Sequence, residues 1–405
     1  MSTSAEQAGK LPERVSAPSP GEILKRFLQG DLASLRVFVV LAFIWIIFQL
    51  ENSHFLTALN LTNLFLQITA VGLISVGVVF VLLLGEIALS VGAVSGLTAA
   101  VMAVQSAKHG WGAGPAIAAA LVCGLVWGLI QGFFFTQFGI PSFVVTLAGL
   151  LIAQGALLKV LGSTGTVNIT NSKIAGLTST TYSKGAGWVM AIVVIAVYAG
   201  VNLWSWRDRV RKGLADTQLT GPIVRIVLVA AGTIATVAIL NANRGVPLAV
   251  LILVAFVAGM QYVAARTRFG RHVYATGGSA EAARRAGIHI TWVRIAVFGL
   301  AGTMAAIGGV MAASRSLAVT QNSGGSDLLL LAIAGPVIAG TSLFGGRGTV
   351  WSALLGALVI GSISNGMDLL ALDTSIKFIV TGAVLLIAVV IDAIARRQRQ
   401  AAGRV

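Results

Sequence analysis

Apolar and polar positions fall in long blocks along this chain, not in the short periods of a soluble fold. Twelve apolar runs stand out: 36–50, 64–84, 88–107, 115–135, 142–161, 187–204, 222–240, 246–264, 294–312, 328–344, 348–365 and 376–394. A helix needs about 20 residues to cross bilayer hydrocarbon. The pattern therefore predicts an all-α polytopic membrane protein with 10–12 transmembrane helices. Several runs are short. The pairs around Glu86 and around Gly345 are expected to be broken or re-entrant, and those breaks would lower the count from twelve to ten.

Polar segments divide the chain further. Residues 1–35 form an N-terminal tail with Pro12, Pro18 and Pro20, and the stretch EILKRFLQGDLAS is patterned for a helix lying on the membrane surface. The first long apolar run starts too late for a signal peptide, and no small-residue cleavage site follows it. Residues 36–394 read as the membrane domain, with a basic loop at 205–221 and a polar, basic loop at 265–293; 395–405 is a basic tail.

Composition agrees with the pattern. The chain is 57% hydrophobic and 10% charged, where a soluble chain carries about 25% charged residues. Its net charge of +15 invites nucleic acid as a partner, but no aromatic residues interleave with the basic blocks to make stacking platforms. With both termini placed in the cytoplasm and the crossings alternating, 21 of the 28 lysines and arginines fall on the inside. Membrane orientation thus accounts for the charge without nucleic acid. The one cysteine, Cys123, excludes a disulfide within the chain, and the four histidines form no metal-ligand spacing.

Catalytic chemistry is hard to find. The GxxxxGK[ST] phosphate loop is absent, and GGRG at 345–348 reads as a tight turn or broken helix. The polar loops are too short for a catalytic domain, so no enzyme activity is expected of the chain itself. The one clear ionisable group within an apolar stretch is Glu86, which suits a helix break, a solute pathway or proton coupling. Ser90, Gln67, Gln131, Gln154 and Asn365 are further candidates for a translocation pathway or a helix break. Such uncharged groups serve equally to hydrogen-bond a neutral solute or to join helices.

One polar stretch is out of place. GGSAEAARRAG, Gly277 to Gly287, sits between two long apolar runs. Thr276 to Ser279 reads as a glycine-bearing turn and Ser279 as an N-cap. Residues 280–286 are strong helix formers, and Gly287 is a natural C-cap. Ala282, Ala283 and Ala286 would make a small, flat face, with Glu281, Arg284 and Arg285 available to a partner. Docking into a groove on another protein and lying on lipid headgroups both remain open on these grounds.

Four stretches carry a resemblance: GEIALSVGAVSGLTAAVMA, GIPSFVVTLAGLLIAQG, RTRFGRHVYATGGSAEAARRAGI and AGTSLFGGRGTVWSALLGALVIGSISNGMDLL. The chain resembles the membrane subunits of bacterial sugar importers driven by ATP-binding-cassette subunits, in the ribose, galactose, arabinose and xylose branch. The likeness covers most of 36–394 and is greatest to the xylose members. It implies a vitamin-importer-like (type II) fold in the bacterial inner membrane, working as a homodimer by alternating access. It implies two ATPase subunits, or one fused double ATPase, and a periplasmic sugar-binding protein. This chain would bind no cofactor, Mg-ATP belonging to the ATPase partners. D-xylose or a related monosaccharide is the expected cargo. The resemblance makes 277–287 the ATPase-coupling helix: Glu281, Ala282, Ala283 and Gly287 match the family pattern, with Gly277, Gly278, Ser279, Arg284 and Arg285 completing it. Relatives commonly carry Asp-Leu-Ser-Val-Gly where this chain has Ala88, Leu89, Ser90, Val91 and Gly92, so a site carried over from there loses its aspartate. Residues 205–240 look like an inserted crossing pair with a basic loop. The alternative class is an ion-coupled secondary sugar transporter.

Overall fold

The computed structural model describes residues 33–212 and 220–401. Most of the surface helix expected at 22–34, part of the 205–221 loop and the end of the basic tail lie outside the described residues.

Each of the twelve apolar runs carries a helix. In chain order the first five helices are α1 (Ala33–Glu51), α2 (Ala58–Leu83), α3 (Val91–Ala107), α4 (Ala113–Gln137) and α5 (Ser142–Leu161). Then come β1 (Thr166–Asn168), α6 (Ser172–Ser179) and β2 (Thr181–Tyr182). A long hairpin follows, α7 (Lys184–Arg211) and α8 (Thr220–Ala242), then β3 (Val246–Pro247) and α9 (Leu248–Arg266). Two short helices, α10 (Arg268–Gly278) and α11 (Ala280–Arg285), precede α12 (Ile290–Ser316). The chain ends with β4 (Ala318–Thr320), α13 (Ser326–Ile338), α14 (Trp351–Leu369) and α15 (Thr374–Ala401). Among the described residues, seven helices are long and apolar enough to cross a membrane, and five further apolar helices are shorter.

Burial ranks the helices. In the most apolar stretch of α2, 89% of residues are buried, against 11% in α7. A helix that is apolar all round and buried all round belongs at the centre. Helix α12 lies beside α2 and crosses α4 at very short range. A Cβ on Gly128 would overlap the Phe298 carbonyl, and one on Gly302 would overlap that of Gly124. Small residues spaced four apart let two backbones approach this closely, which is how membrane helices gain packing energy without a hydrophobic drive. The α7–α8 hairpin sits at the periphery, with Ile192, Val197 and Trp204 largely exposed.

The two expected breaks are present. Helix α13 has 13 residues, with Pro336 inside it, and spans about 20 Å. The chain then runs without helix to Trp351. Helix α3 likewise begins only at Val91, seven residues beyond the C-cap of α2 at Leu84. Irregular backbone at membrane depth persists only inside protein or beside water, and both segments pack against other parts of the chain.

The non-helical segments gather at two ends. The basic end holds 84–90, 138–141 and 339–350, together with the short helices α10 and α11 of 267–289. The opposite end holds two antiparallel strand pairs. In one, Val167 faces Val319; in the other, Tyr182 faces Val246. Much of the strand-bearing segment at 162–186 is polar in sequence. Its short strands and α6 arise from tertiary pairing with segments far along the chain.

Candidate functional site

The polar segment is built from its caps. Thr267 caps α10 by accepting the Gly270 amide at 3.2 Å. Helix α10 buries Val273 and Thr276, and Phe269 stacks on Phe80 of α2 at 6.4 Å between ring centroids. Tyr274 donates its hydroxyl to the Gly348 carbonyl at 2.7 Å. Burial pushes the Tyr274 phenol above its ordinary pKa, so it remains a donor at neutral pH. The turn expected over Thr276 to Ser279 is instead the last turn of α10, which reaches Gly278. Side-chain packing of 269, 273 and 276 against the core overrides the glycines' weak helix propensity.

Ser279 and Gly287 bound α11 as their chemistry predicts. Ser279 Oγ accepts from the Ala282 amide at 3.2 Å. Gly287 has a φ of 81°. Its amide bonds to Arg284 O and that of Ile288 to Ala283 O, both at 3.0 Å, which closes a Schellman motif. The face of α11 differs from the flat alanine surface expected. Ala283 is 4% exposed and points into the protein, where it anchors the helix. Glu281, Ala282, Arg284, Arg285 and Ala286 face outward. Glu281 and Arg285 pair with each other at 3.1 Å, both well exposed, so the pair adds little stability and both charges stay available.

Three glycine segments meet at the base of this helix. The Gly346 amide donates to Leu83 O at 2.9 Å, which ties the 339–350 segment to the end of α2. Gly277 lies against the same carbonyl, and a Cβ there would overlap Leu83 O and come within 2.8 Å of Gly346 N. Gly85 (φ 77°) and Gly345 (φ 86°) complete the junction, with Gly345 packed on Gly277 O and Gly85 N. Only backbone without side chains fits here.

The break at 84–90 is held by neighbouring helices. Ser142 Oγ accepts from Ile87 N at 3.3 Å and Thr146 Oγ1 from Leu89 N at 3.1 Å. Ser90 donates to Gln131 Oε1 at 2.8 Å, both residues buried. Glu86 pairs with Arg294 of α12 at 3.3 Å, its side chain 17% exposed. The Arg294 guanidinium lies 4.8 Å from the centre of the Phe135 ring.

The six residues proposed for a pathway or break therefore do not form one lining. Ser90 and Gln131 meet each other, and Glu86 lies at the same end on Arg294. Asn365 lies at the opposite end and exchanges hydrogen bonds with Asn60 at 2.8 and 3.1 Å. Gln67 is half-buried on α2, and Gln154 is exposed on α5. Arg294 stands at the first position of the apolar run 294–312, next to the basic loop. A lone arginine at the head of an apolar run was the available signal. Thr146, Ser142 and Asn60 gave none, being ordinary polar residues within helical runs.

Residues 60–389 match a protein-family model described as branched-chain amino acid transport system / permease component. The chain belongs to this family. Among curated proteins, this permease is similar to the xylose transport system permease protein XylH of Escherichia coli, with 37% identity over 372 residues, 90% of this chain and 93% of that protein. XylH of Haemophilus influenzae is 34% identical over 370 residues, covering 90% of this chain and 96% of the relative. The ribose import permease protein RbsC of Bacillus subtilis is 32% identical over 368 residues, 90% of this chain and 94% of the relative. No solved structure matches the chain.

Proposed function

We propose that this chain is the membrane-spanning subunit of an ATP-driven monosaccharide importer in a bacterial inner membrane, with D-xylose or a close relative as cargo. The family description names branched-chain amino acids, but the near full-length relatives are xylose and ribose permeases, and these favour a sugar. In this reading the basic end faces the cytoplasm, as do both termini, consistent with the concentration of lysine and arginine there. ATPase partners supply Mg-ATP chemistry, a periplasmic binding protein delivers sugar to the opposite end, and two copies of the chain enclose the path.

The observation that carries this reading is the junction under α11. A short helix with an exposed, charged face is joined through Gly277 to both broken segments of the membrane domain. Force applied to that helix by a closing ATPase has a direct route to the two places where the membrane helices are interrupted. In this mechanism the residues bind, transmit and orient; none acts as acid, base or nucleophile. Residues 277–287 are the coupling segment, and Ala283 is its inward anchor. An ion-coupled carrier would use a carboxylate free to exchange its ion at mid-membrane. Glu86 instead pairs with an arginine at the basic end.

The test is uptake of labelled D-xylose, D-ribose and D-galactose into proteoliposomes holding this chain with its ATPase and binding protein. Sugar accumulation that requires ATP and the binding protein is the expected result. Accumulation by the chain alone, driven by a proton or sodium gradient, would overturn the reading.

A further inference from the structure

Both flanks of α11 arrive at one place. On its N-terminal side Gly277 lies on Leu83 O. On its C-terminal side the Schellman closure leads through His289, whose carbonyl accepts from Val293, into the first turns of α12. Arg294 there reaches Glu86. Leu83 and Glu86 are only three residues apart, at the start of the break before α3. One link is fixed backbone packing. The other is an ion pair, which can be broken and remade.

The ion pair is placed where its geometry is constrained. Glu86 and Arg294 side chains are 17% and 29% exposed, so both charges have given up most of their hydration. Such pairs add little net stability compared with apolar residues of similar volume. Arg294 also stacks on Phe135 of α4, and its Nε is buried without an acceptor among the described residues. A planar guanidinium over an aromatic face, paired at one end, is more constrained in heading than an ammonium would be. Beyond Glu86, the break is hydrogen-bonded to α5 at Ile87 and Leu89, and Ser90 to Gln131 of α4. A displacement of Glu86 therefore moves the start of α3 against α4 and α5.

We propose that Glu86 and Arg294 are positioning residues for energy coupling: their ion pair is the second link between α11 and the α2–α3 break. With both links made, motion of the short helix turns α3. With the ion pair lost, α11 moves about Gly277 alone and the motion is not passed on. This rests on the coupling role proposed above, and it assigns that role a specific transmission element.

Two measurements test it on the full chain. In proteoliposomes with the ATPase and binding protein, Glu86→Gln and Arg294→Lys should keep ATP hydrolysis near the wild-type rate. Labelled D-xylose delivered per ATP should fall about fivefold or more. The exchanged pair, Glu86→Arg with Arg294→Glu, should recover part of that loss. In the purified chain without partners, hydrogen exchange at 279–289 should speed up in Glu86→Gln, while 166–168 and 318–320 stay as in wild type. Unchanged sugar per ATP in both single variants would overturn the proposal. So would exchange that rises equally at both ends, since that assigns the pair to general stability. A wild-type complex that moves no sugar with ATP would sink the importer reading, and exchange in the chain alone would still decide whether the pair holds α11.

Discussion

The two ends of this permease hold their irregular segments in different ways. At the basic end, both breaks and the end of α10 touch backbone to backbone through Gly85, Gly345 and Gly277, and one half-buried ion pair joins α12 to the same point. At the opposite end the contacts are scattered. Two separate strand pairs, the Asn60–Asn365 exchange, Lys108 donating to Leu161 O, and Lys377 paired with Asp368 each join a different pair of segments. A single shared point passes a displacement on whole. Scattered contacts let each loop shift on its own.

Substitutions at four places sharpen or break this contrast. The largest effect is expected at Gly277. Valine there would force Leu83 and Gly346 apart, and ATP-driven xylose uptake should fall about tenfold or more, whereas Gly278→Ala, where a Cβ meets nothing, should leave uptake intact. Next is Arg285→Glu. Its charge is exposed, so thermal unfolding should not move, but ATP hydrolysis by the assembled complex should drop about tenfold if α11 docks in an ATPase cleft. At the opposite end, Asn60→Ala or Asn365→Ala leaves a buried amide without its partner and should cost about 1–3 kcal/mol in denaturation of the purified chain. The double variant should cost less than the two single losses added together, because the residues share one interaction. The smallest effect is Tyr274→Phe. It removes one hydrogen bond to Gly348 and should cost about 1 kcal/mol, with uptake reduced only slightly. Equal sensitivity of uptake to the Asn60 and Gly277 changes would erase the distinction between the ends.

Much of this arrangement was legible in the residues. A bilayer imposes long apolar runs, so all twelve runs returned as helices. Glycine and an isolated glutamate marked the two breaks, since few other residues serve there. Ser279 and Gly287 were readable because capping is local chemistry. What stayed hidden depends on neighbours far along the chain. Ala283 turns inward because α11 leans on the membrane domain, which three alanines cannot disclose. Arg294 finds Glu86 208 residues away, and β1 finds β4 more than a third of the chain away. Helix α10 runs through two glycines because Phe269 and Val273 have partners on other helices.

Helix α12 begins just after α11 and ends where Ser314 donates to Ile174 O at 2.8 Å, just before β4 pairs with β1. Its 27 residues form a shaft about 40 Å long, mounted against α4 on glycine bearings that carry no side chains to jam. A shaft of this kind has no preferred direction of drive. In the importer proposed above, coupling free energies are reciprocal, so cargo arriving at one face of the membrane would set the affinity for nucleotide-bearing partners at the other before anything has crossed.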